Sequence, residues 1–148
     1  MSLKAQILDD VKNAMRAQDR ERLGALRLIS AAIKQIEVDE RIELNDAQVL
    51  AVLDKMVKQR RESLEQFEKA GREDLAKKER FEMGILQGYM PEPLGEAELA
   101  AMIQSAIARL GASSIRDMGP VMNALREQVQ GRADMKAVSE AVKAQLSA

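Results

Sequence analysis

Apolar residues recur every three or four positions along nearly the whole chain, and no stretch alternates apolar and polar residues one by one. That period predicts helices and no strands. A first helix is expected from about Ser2 to Ala17, with Ser2 as N-cap and Leu3, Ile7, Leu8, Val11 and Met15 on one face. Asp19 suits the cap of a second helix carrying Leu23, Leu26, Ile29, Ile33 and Ile36. So short a connection makes these two antiparallel neighbours. The second helix should end within the charged run Glu37–Glu43. Asn45 and Gln48 then form a capping box that opens a third helix.

The third and fourth helices read as a hairpin folded at Gly71. Leu53, Val57, Leu64 and Phe67 mark one stripe, and Leu75, Ile85, Leu86 and Tyr89 the other. Folding at Ala70-Gly71 sets Phe67 against Leu75, Val57 against Ile85, Leu53 against Tyr89, and Arg60 against Glu82. Arg60 lies seven residues from both Leu53 and Phe67, so it falls on the apolar stripe. A charge there requires a partner. Glu82 is the first candidate and Glu79 the second. Glu73 and Asp74 suit the positive end of the fourth helix dipole.

Pro91 and Pro93 bar a continuous helix, and the residues before them favour extended backbone. The sequence therefore predicts an all-α protein: a four-helix domain over 1–90, a linker over 91–95 and a three-helix domain over 96–148. In the last, Leu99, Met102, Ile103, Ala106, Ile107 and Leu110 form the first inward face. Met118, Val121, Met122, Leu125 and Val129 form the second, and Val138, Val142 and Leu146 the third. Pro120 is tolerable only in the first turn of its helix. Asp134 is the expected cap of the last one.

Composition narrows the chemistry. With 148 residues the chain can bury a substantial core, and three aromatic residues leave aliphatic side chains and methionine to fill it. Five of the nine methionines fall between Met90 and Met135. They are core filling, or line a groove for a partner helix. No apolar run reaches the length of a membrane span, and no secretory block opens the chain. The simplest expectation is a cytoplasmic protein without membrane contact. Histidine and cysteine are absent, which excludes Ser–His and Cys–His nucleophiles and thiolate metal sites. No Gly-rich phosphate loop occurs. No metal, cofactor or self-contained catalytic site is expected, and carboxylate chemistry is the weakest functional alternative.

Net charge is −1, and basic and acidic groups balance in each third: eight and eight over 1–44, nine and ten over 45–94, six and six over 95–148. No basic arm exists, so any nucleic-acid binding must come from local placement of Lys and Arg.

The run Gln59-Arg60-Arg61-Glu62-Ser63-Leu64-Glu65-Gln66-Phe67-Glu68-Lys69-Ala70-Gly71-Arg72-Glu73-Asp74-Leu75 closely resembles the signature of the GatB/YqeY family. Leu86-Gln87-Gly88-Tyr89-Met90-Pro91, the stretch from Gly111 to Gly119, and Gly131-Arg132-Ala133-Asp134 extend the resemblance nearly end to end. It implies a stand-alone relative of the tail region of GatB, a component of glutamyl/aspartyl-tRNA amidotransferase. That enzyme is a carbon–nitrogen ligase with glutamine as amido donor. The tail is the part that engages tRNA, and the chemistry lies in other domains. The implied function is non-catalytic binding of tRNA or another structured RNA, with an amidotransferase or other protein as a further partner. The residues offered for RNA contact are Lys58, Arg61 and Arg72 in the first domain and Arg126, Arg132 and Lys136 in the second. Arg suits phosphate through its planar fork. Two positions depart from the family pattern. Pro120 stands where lysine is common, which removes a candidate phosphate contact, and Met135 stands where glycine is common. The rival reading is a protein–protein adaptor that uses apolar or Met-rich helix faces.

Overall fold

A computed structural model describes residues 1–147. The described residues form seven α-helices and one 3-10 turn, with no strand among them. The chain divides into two compact units, Met1–Met90 and Pro91–Ala148.

The first unit holds α1 (Leu3–Arg16), α2 (Arg20–Glu40), α3 (Asp46–Lys69) and α4 (Glu73–Gln87). Ser2 and Asp19 each accept a backbone N–H and start α1 and α2. Asn45 and Gln48 form a reciprocal capping box at the start of α3. Gly71 follows α3 with φ of +70°, a left-handed conformation that glycine adopts without steric cost. Ile7, Leu26, Ile29, Val49, Leu53 and Leu86 are essentially fully buried. Each contributes about 1.5–3 kcal/mol by leaving water.

Alpha1 turns differently from the expected face. Its buried residues are Ile7 and Ala14, with Leu3 and Val11 partly covered, while Leu8 and Met15 are about half exposed. Small Ala14 fits the close contact in place of bulky Met15. Glu37 fixes the return from α2 to α3. Its carboxylate accepts from Lys4 Nζ at 2.8 Å and from the Leu44 amide at 2.9 Å. Lys4 first, then the amide, hold its pKa below the ordinary carboxylate value. The Tyr89 hydroxyl donates to Asp10 and ties the chain after α4 to α1.

The second unit holds α5 (Glu96–Leu110), the turn Ile115–Asp117, α6 (Met118–Val129) and α7 (Met135–Ser147). Its core is Ile103, Ala106, Val121, Leu125, Val129, Val138, Val142 and Leu146. Leu110, expected inward, is 47% exposed because α5 ends beside it at Gly111. Pro120 is the third residue of α6, where its missing N–H leaves no intrahelical bond unmade. The Asp117 carboxylate accepts from the Ser113 and Ser114 amides at 2.8 and 3.2 Å, which holds its pKa down.

Candidate functional site

Arg60 reaches across the α3–α4 hairpin. Its Nη1 is 2.9 Å from Glu82 Oε2, and its Nε is 3.4 Å from Glu79 Oε2. The Glu79 and Glu82 side chains keep only 11% and 9% of their exposure, against 28% for Arg60. Two buried carboxylates thus share one guanidinium. Glu82 has the well-formed hydrogen bond, whereas Arg60 Nε and Glu79 Oε2 have none despite their proximity. Burial pushes the Glu79 pKa up, and Arg60 offsets this only in part. This cluster bridges the two helices of the hairpin and commits Arg60 Nη1 and Nε to its carboxylates.

Some other cations of the hairpin are paired and some are exposed. Lys69 pairs with Glu65 at 3.1 Å, and Arg80 binds Glu73 at 2.7 Å and Glu68 at 3.5 Å. Arg72 lies just before α4 and forks onto Asp74, with both contacts at 3.2 Å. Lys58 and Arg61 are exposed three residues apart on α3, and so lie on one side of that helix.

In the second unit Arg126 is exposed in the last turn of α6, and Lys136 is exposed in the first turn of α7. Arg132 is differently employed. Its Nε donates to the Glu92 carbonyl at 3.0 Å, and its Nη2 lies 3.7 Å from Glu98. Its own carbonyl accepts the Leu94 amide at 2.8 Å. The Pro91–Leu94 segment is therefore fastened to the turn between α6 and α7. Gly131 makes that turn possible, being buried with φ of +75°. Sequence reading missed this clasp, because Glu92 contributes a backbone carbonyl, which leaves no residue-type signal. Met102, Met118, Met122 and Met135 all pack partly buried against the second core, and Met90 against the first. They serve as filling for aromatic-poor interiors.

Among the described residues, no group of three or more carboxylate, histidine or cysteine side chains is placed to hold a metal ion. No described helix is long and apolar enough to cross a membrane.

These features define a class: an all-helical protein of two units, with an arginine–glutamate cluster in one and an arginine clasp in the other. The chain belongs to the Yqey-like protein family, whose model matches residues 4–146. It is similar to "Altered inheritance of mitochondria protein 41, mitochondrial" of Pyrenophora tritici-repentis, 33% identical over 90% of this chain and 75% of that one. The protein of that name from Eremothecium gossypii is 39% identical over 72% of this chain and 60% of its own. The one from Lachancea thermotolerans is 31% identical over 74% and 60%. These relatives are named as mitochondrial, which contradicts the expected cytoplasmic location. That expectation rested on lacking a membrane span and a secretory block, and neither lack separates cytosol from the interior of an organelle.

Proposed function

We propose that this chain is a non-catalytic module that binds tRNA or a similarly folded RNA through cations of both units. The two units are taken as separate domains of four and three helices. The proposal includes a relation to tRNA-dependent amide transfer, with catalysis supplied by another protein. The carrying observation is the sorting of cations. Lys58, Arg61, Arg126 and Lys136 are exposed, whereas Arg60, Lys69 and Arg80 are committed to carboxylates. Arg72 and Arg132 contribute only by exchanging Asp74, or Glu98 and the Glu92 carbonyl, for phosphate. The resemblance of the Gln59–Leu75 and Gly131–Asp134 motifs to the GatB/YqeY family supports the same reading. Few aromatics are available for stacking on unpaired bases, so the fold of the RNA sets the preference.

Binding to folded tRNA at two salt concentrations tests it. Four phosphate contacts lower the affinity by roughly two orders of magnitude between about 50 and 200 mM salt. Arg61→Glu and Lys136→Glu each weaken binding without changing helicity or melting. Absence of binding at low salt, or unchanged affinity in both variants, refutes the proposal.

A further inference from the structure

An open groove of about 440 Å³ runs between α1 and α2. Ile7, Leu8, Ala31 and Ile33 give it an apolar floor, and Arg27 and Lys34 stand along its α2 side. The Lys4–Glu37 ion pair lies at one end. Leu8 remains 43% exposed there. Arg27 and Lys34 are exposed, and among the described residues their side chains enter no hydrogen bond or ion pair. Lys4, Arg72 and Arg80, by contrast, each hold a carboxylate.

The spacing is regular. Arg27 and Lys34 are one heptad apart, as are exposed Leu8 and Met15 on α1, and Ala31 and exposed Val38 on α2. Seven residues advance about 10.5 Å along a helix and return to nearly the same face. The groove therefore offers exposed Leu8 and Ala31 beside two unneutralised cations set at the repeat of a third helix. Ala31 adds a small side chain where a partner backbone approaches.

We propose that this groove docks an amphipathic helix of a partner protein, with apolar residues on Leu8 and Ala31 and carboxylates one heptad apart on Arg27 and Lys34. Charge complementarity selects the partner as flanking charges do in coiled coils. The apolar floor gives a phosphate backbone nothing to contact, so a helix fits this surface better than RNA. The inference does not depend on the RNA reading, whose residues lie elsewhere.

The probe is a synthetic 21-residue helical peptide with leucine at core heptad positions and glutamate flanking them. Its fluorescence anisotropy is followed as the full chain is titrated in. A second peptide carries lysine for every glutamate, and a third is scrambled. The acidic peptide binds at least tenfold more tightly than either. Combined Arg27→Glu and Lys34→Glu reverses the preference toward the lysine peptide, and Leu8→Asp weakens both, with circular dichroism unchanged. No binding of the acidic peptide overturns the proposal, as does a preference that survives the double charge reversal. Self-association abolished by Leu8→Asp makes the groove an interface between copies and overturns it too. So does structured RNA whose binding needs Arg27 and Lys34.

Discussion

Replacing Arg60 by alanine removes the guanidinium that Glu79 and Glu82 share. Two carboxylates that have left water then face each other unneutralised on α4. Breaking a buried pair in this way costs about 3–5 kcal/mol. Arg60 keeps 28% of its exposure, so the expected loss lies near the lower end, about 3 kcal/mol at pH 7.5. For a unit of this size that corresponds to a fall of about 12–24 °C in Tm. Tyr89 is the only tyrosine and tryptophan is absent, so intrinsic fluorescence reports on the first unit during urea titration. Circular dichroism follows the whole chain. The loss shrinks as pH falls, because burial holds the Glu79 pKa up and its protonation relieves the repulsion on α4. Combining Arg60→Met with Glu79→Gln and Glu82→Gln restores most of the stability, since the charges are then gone together. Arg61→Ala, one residue on and exposed, changes stability by less than about 0.5 kcal/mol. A loss below about 1 kcal/mol for Arg60→Ala, or one that grows as pH falls, refutes a buried cluster.

The two glutamates should separate. Glu79 has its folded pKa raised, so its contribution is present below the ordinary carboxylate pKa and is lost as pH rises through the folded value. Glu79→Gln is thus neutral or stabilising at pH 7.5, with the difference from wild type closing near pH 4.5. Glu82→Gln removes the charge that faces Arg60 Nη1 at 2.9 Å and destabilises in the same urea titration. Asp117 has the opposite sign: its folded pKa is lowered, so its contribution is present above the ordinary carboxylate range and is lost as pH falls through the folded value. Asp117→Ala lowers the melting temperature at neutral pH, and the difference disappears in acid. Leu125→Ala costs about 2–5 kcal/mol by leaving a cavity, whereas Leu110→Ala, at a half-exposed site, costs under about 1 kcal/mol by the same denaturation assay. Arg132→Ala speeds amide exchange at Leu94 by freeing the Glu92 carbonyl, and Arg126→Ala does not.

The helices are legible in the sequence through a 3.6-residue period, and several add a chemical stop: Ser2, Asp19 and Asn45 at starts, Gly71 and Gly111 at ends. Facing is less legible. Leu8 and Met15 carry more apolar surface than Ala14, and a reading by bulk places them inward. The close packing of α1 selects the smaller residue. Leu110 misleads for a different reason: the period runs on to the helix end, but the chain leaves the core there. The Arg60 stripe can be read because a charge at heptad spacing from Leu53 and Phe67 stands out, and its possible partners are themselves charged. Asp117 has a readable signal in Ser114 three residues before it, the spacing of a capping box.

Arg132 shows where residue-type reasoning ends. As a letter in Gly131-Arg132-Ala133-Asp134 it is a basic residue beside a helix start, which suits phosphate. In the fold it donates to a main-chain carbonyl forty residues away, and its own carbonyl holds the Leu94 amide. A net charge of −1 sharpens the point. In a chain whose charges balance, the number of cations says little about what it binds. Partners at 2.7–3.7 Å remove Lys4, Arg60, Lys69, Arg72, Arg80 and Arg132 from immediate duty at the surface. Exposed cations such as Arg27 and Lys34 on α2 and Arg61 on α3 stay available. Their neighbours then decide the ligand. Arg27 and Lys34 border an apolar groove, which suits a helix. Arg61 shares its side of α3 with Lys58, which suits phosphate.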